Sequence, residues 1–81
     1  MSKREEIVEM FPDEEFLFVD DMDEAILGIS SKFLVVYSET KIIDILKKDM
    51  TYLEAVEYFN FNIEGAYMGD KTPIYVYDDF T

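Results

Sequence analysis

Acid is concentrated at one end of this chain. Glu5, Glu6, Glu9, Asp13, Glu14, Glu15, Asp20, Asp21, Asp23 and Glu24 fall in the first 24 residues against Lys3 and Arg4, a local net charge of −8. The remainder carries nine acids and five bases, which brings the total to −12. A chain that repels itself this strongly folds only if its apolar side chains bury enough surface to offset the charge and the lost entropy. Seven Phe and six Tyr in a composition that is 49% hydrophobic supply that surface. The expected product is a folded domain with a negative field. Such a field repels nucleic acid and anionic membrane and attracts basic protein surfaces.

With 81 residues there is room for one domain, residues 1–81, and one modest core. No Cys is present, so thiol and disulfide chemistry are outside its reach; this suits a reducing cytoplasm. No His is present, which removes the commonest metal ligand and general base. No apolar run approaches the ~18 residues of a membrane helix. We expect a cytoplasmic protein with no cofactor and no metal.

Local signals set the expected elements. Ser2 and Glu5 match a capping box opening a helix over residues 3–10, with Ile7, Met10 and Phe11 along one side and Pro12 ending it. Phe16–Val19 is short, apolar and aromatic, as a strand would be. Residues 25–30 and 33–37 read as an antiparallel hairpin joined tightly by Ser31-Lys32. Gly28 inside the first run predicts a bulge or a close backbone approach. Ser38 or Thr40 caps a helix with Ile42, Ile45 and Leu46 facing inward and Lys41, Asp44 and Lys48 outward. Thr51 and Glu54 form a second capping box, with Met50 placed to staple onto Ala55. The helix they open is expected to run to Met68 and stop at Gly69. A turn over residues 70–73, a strand over residues 74–77 and a loose tail over residues 78–81 complete the chain. The fold class is α+β: an antiparallel sheet of about four strands with helices packed on one face, in the order α-β-β-β-α-α-β.

The third helix carries the candidate site. At ~100° per residue, Tyr52, Ala55, Val56, Phe59, Ile63, Ala66 and Tyr67 fall on one apolar arc. Glu54, Glu57 and Glu64 fall opposite, yet Tyr58, Phe61 and Met68 lie among them. Either this second face is covered by another element, or it is an exposed aromatic patch rimmed by acid. On the second reading Tyr58, Phe61, Asn62, Gly65, Met68, Glu54 and Glu57 are partner-binding candidates. Gly65 would allow another backbone close approach, and the Asn62 amide would face a ligand. Asp20, Asp21, Asp23 and Glu24 form a candidate acidic surface. They lack the spacing of a calcium loop, and a solvated turn is their default. The seven Lys/Arg do not cluster beyond Lys47-Lys48, so no phosphate cradle or nucleic-acid groove is visible. Without a base beside any hydroxyl, nucleophilic catalysis has no support, and we expect no enzyme.

Residues 16–76 resemble a group of short acidic proteins of bacteriophage and prophage origin that have no established activity. The resemblance is carried by Leu17-Phe18-Val19-Asp20 leading into Asp23-Glu24-Ala25-Ile26-Leu27-Gly28, and by Val36-Tyr37 before Lys41-Ile42-Ile43-Asp44-Ile45-Leu46. It is carried further by Met50-Thr51, by Glu54-Ala55-Val56-Glu57-Tyr58-Phe59-Asn60-Phe61-Asn62, and by Gly65-Ala66-Tyr67-Met68-Gly69 before Thr72-Pro73. Such proteins usually have Gly where this chain has Asp21, and a longer loop between Ser30 and Phe33. The resemblance implies a viral or prophage setting and no mechanism.

Two functions follow as expectations. One is a protein-binding module that occupies a basic site on a host nucleic-acid-binding or defence protein by acidic mimicry. The alternative is a homo-oligomeric phage accessory protein, a homodimer for instance, burying Tyr58, Phe61, Met68 and the Tyr75/Tyr77 face between copies.

Overall fold

A hairpin and one returning strand make the sheet in the computed structural model, which describes residues 2–66 and 68–78. Strands β1 (Ile26–Ile29) and β2 (Val35–Ser38) pair antiparallel, and β3 (Ile74–Val76) lies parallel to β2 on its other side. The sheet is therefore three-stranded and mixed, a correction to the four antiparallel strands expected. Helices α2 (Glu39–Leu46) and α3 (Tyr52–Tyr58) form the crossover that a parallel pair requires. The Phe16–Val19 run joins no ladder. A side-chain bond holds it instead: the Val19 N–H donates to the Tyr37 Oη at 2.7 Å.

The hairpin departs from a two-residue connection. The Ser30 N–H donates to the Leu34 carbonyl at 2.9 Å, leaving Ser31, Lys32 and Phe33 in the loop. Phe33 takes φ +62°, the left-handed position that glycine usually fills in three-residue hairpin loops. Its ring packs edge-on to Phe11 at 5.5 Å. The bulge expected at Gly28 is present, because pairing slips between Ile26 and Gly28 and leaves Leu27 extra. A Cβ at Gly28 would meet nothing within 4 Å, so close backbone approach is not its role. The Lys3 Nζ donates to the Ile26 carbonyl at 2.9 Å and blunts the β1 edge.

Each helix begins where its cap was read. Ser2 opens α1 (Lys3–Met10) by accepting from the Glu5 N–H, though Met10 points outward. Ser38, rather than Thr40, opens α2 and also donates to Asp78 Oδ1 at 2.6 Å. Asp78 is thereby tied down rather than part of a loose tail; residues 79–81 lie outside the described residues. Thr51 and Glu54 make both bonds of the capping box, and Met50 and Ala55 both join the core. The end of the third helix differs from expectation. Phe59–Glu64 winds as a π-helix and the helix stops at Gly65. Gly69 lies in the following turn with φ +89°.

The core sits between the inward face of the sheet and α2, α3 and the π-helix. Ile26, Val35, Tyr37, Ile42 and Phe59 are almost wholly buried. Tyr37 stacks on Tyr75 at 5.8 Å, and Phe59 meets Tyr75 edge-on at 5.3 Å. Each such side chain contributes about 1.5–3 kcal/mol by leaving water, which is how so small and so charged a chain stays folded.

Candidate functional site

Three adjoining hollows run across one side of the molecule. The first, about 480 Å³, is lined by Arg4, Asp20, Asp21, Asp23 and Glu24. Arg4 is committed to the fold there. Its guanidinium lies 4.6 Å over the Phe18 ring and 4.0 Å from Asp23 Oδ1, a buried atom with no hydrogen-bond partner among the described residues. The second hollow, about 420 Å³, shares Asp20 and Asp21 and adds Asp49. Its floor is apolar: Phe18, Val19, Met22, Ile45, Leu46, Met50, Tyr58, Ile63 and Met68, with the Asn62 amide among them. The third, about 490 Å³, shares Asp49, Met50, Tyr58 and Asn62 and adds Glu54, Glu57 and Phe61.

Shared lining residues join the hollows into one track. Seven carboxylates follow it: Glu24, Asp23, Asp20, Asp21, Asp49, Glu54 and Glu57. Local structure positions them. A turn closed by the Met22 N–H on the Val19 carbonyl, with Asp21 at φ +64°, leaves Asp20 and Asp21 exposed, and the 3-10 turn Asp23–Ala25 that follows carries the half-buried Asp23 and the exposed Glu24. Asp49 lies in the short junction between α2 and α3, and Glu54 and Glu57 project from α3. Glu54 also serves the helix, its Oε1 accepting from the Thr51 N–H at 3.0 Å. The Thr51 backbone and hydroxyl together hold its pKa below the ordinary carboxylate value.

The aromatic residues read out of phase on the third helix do reach solvent. Phe61 is 79% exposed, Tyr58 44% and Met68 36%. Tyr58, Asn62 and Met68 share the second hollow with Asp20 and Asp21, while Phe61 stands at the far end of the track. Gly65 belongs elsewhere. A Cβ there would lie 2.8 Å from the Asn60 carbonyl oxygen and 3.2 Å from that of Phe61. Its missing side chain accommodates the end of its own helix, not a partner's backbone, and it lines none of these hollows. Tyr75 packs against Tyr37 and Phe59, whereas Tyr77, two residues on, is exposed and its hydroxyl donates to Glu39 at 3.1 Å. Tyr67 lies outside the described residues. Asp49, Met50, Phe18 and Met22 were not read as site residues; the clustering of Met50 and Asp49 just before the capping box is the one local hint.

Among the described residues no group of three or more His, Cys, Asp or Glu side chains is placed to hold a metal ion, and no helix is long and apolar enough to cross a membrane. Comparison with known protein families, with curated proteins and with solved structures finds no match. What the site can do chemically is attract cations along its rim and cover apolar side chains on its floor.

Proposed function

We propose that the protein is a small binding module that occupies a basic surface on another protein. In the phage or prophage setting that the sequence resemblance suggests, the partner is a host nucleic-acid-binding or defence protein in the cytoplasm, and the module competes with its nucleic acid. The observation that carries this reading is the continuous track of seven carboxylates, which has one base, Arg4, along it. A surface built for phosphates does not easily refuse a second polyanion of similar spacing. Scattered acids kept for solubility alone would have no reason to line one run of hollows.

The test is fluorescence anisotropy with labelled deca-lysine, a minimal basic surface. Binding is expected to weaken by about tenfold or more between 50 and 200 mM salt, because the screening length shortens through that range, passing ~10 Å at 0.1 M and ~8 Å at 0.15 M. Absent binding, or binding indifferent to salt, contradicts the proposal.

Self-association is a second reading, favoured by Leu53 and Phe61, which are 71% and 79% exposed on the α3 and π-helix surface. A net charge of −12 per copy opposes it. Light scattering at low and high salt decides: a monomer at all salts and high concentration rejects it.

A further inference from the structure

The second hollow differs from the rest of the track in its floor. Met50 and Met68 line it, with the buried Met22 beneath them and Phe18, Leu46 and Tyr58 beside them. Methionine is unbranched and polarizable, so a surface rich in it re-packs around apolar side chains of different shape. The hollow lies within the ~300–1,000 Å³ range in which pockets enclose sizeable groups. Its carboxylates come from two separate elements, Asp20 and Asp21 from the turn before β1 and Asp49 from the junction between α2 and α3. No Lys or Arg is among its lining residues.

An apolar floor with an all-acidic rim selects for an apolar stripe flanked by cations. We infer that the hollow between Phe18, Asp49 and Met68 receives the apolar face of a cationic amphipathic helix of the partner protein. The inference rests on the basic-partner reading above and narrows it. Charge alone would accept any basic segment, whereas this floor requires apolar side chains at i, i+3, i+4 and i+7 among the cations. Helix-in-groove docking places those anchors in the hollow while Lys or Arg at the stripe's edges reach Asp20, Asp21 and Asp49.

Three probes separate the inference from the reading beneath it. The first is a Leu/Lys peptide of about 15 residues, long enough to form a helix on docking, with leucines at helical spacing. The second is a scrambled peptide of the same composition, and the third is deca-lysine. The full chain is expected to bind the patterned peptide about tenfold or more tighter than its scramble. Met68→Gln, a change at a part-exposed position, should narrow that gap, with an unchanged urea melt reporting an intact fold. Equal affinity for the two Leu/Lys peptides, or a gap that survives Met68→Gln, overturns the inference and leaves the basic-partner reading standing. Failure of all three probes to bind removes both.

Discussion

Gly65 and Tyr75 are tied to the fold by single atoms, and each yields a direct expectation. With the Asn60 carbonyl 2.8 Å from where a Cβ would stand, Gly65→Ala forces backbone movement at the helix end. It should lower unfolding free energy by about 1–3 kcal/mol in urea melts. The Tyr75 hydroxyl is buried with no hydrogen-bond partner among the described residues. Removing a group that loses water and gains nothing helps, so Tyr75→Phe should stabilise by about 1 kcal/mol. Burial, then the neighbouring Tyr37 and Glu64 charges, push the Tyr75 pKa up to about 12 from 10.0. The folded state thus holds this proton more tightly than the unfolded chain. Stability is indifferent to the group below pH 10 and falls as pH rises from there towards 12. Alkaline melts of Tyr75→Phe should show a shallower fall than the parent; an identical slope would contradict the buried-hydroxyl account.

At the level of elements, local chemistry that acts within four residues was legible and chemistry that depends on packing was not. Ser2 and the Thr51/Glu54 box could be read because a cap is complete within one turn. The bulge at Gly28 could be read because a glycine weakens a regular strand and suits a place where the ladder breaks. The Phe16–Val19 run has a strand's composition, but its docking depends on Tyr37, eighteen residues away from Val19. The π-helix escaped notice because a 100° wheel assumes the α spacing throughout. In the site, Tyr58 and Phe61 stood out by being apolar among glutamates. Asp49 and Met50 gave little signal, since only the packing of α2 on α3 sets them beside the acidic turn. Thr51→Ala should cost about 1 kcal/mol by opening the box. Glu54 has a depressed pKa in the fold, so what it adds is present above its ordinary 4.5 and is lost as pH falls below that value. An acid limb of the stability profile that is unchanged in Glu54→Ala would contradict this.

For the whole molecule, charge and core act against each other. Phe59 is fully buried against Tyr75, and Phe59→Ala should cost about 3–5 kcal/mol, enough to unfold most of so small a domain. The net −12 disfavours compaction, so added salt should raise the melting temperature while it weakens partner binding. These opposite salt responses distinguish a charge that serves binding from one that serves folding. The central claim is about where the acids are, not how many there are, and a pair of variants with equal charge tests it most directly. One carries Asp20→Asn, Asp21→Asn, Asp49→Asn, Glu54→Gln and Glu57→Gln along the track. The other carries Glu6→Gln, Glu9→Gln, Asp13→Asn, Glu15→Gln and Asp44→Asn at exposed positions away from it. Deca-lysine anisotropy at low salt should show the track variant binding about tenfold or more weaker than the parent, with the control close to the parent. Equal loss in both variants would mean that net charge alone attracts the probe, and the track would have no claim to be a site.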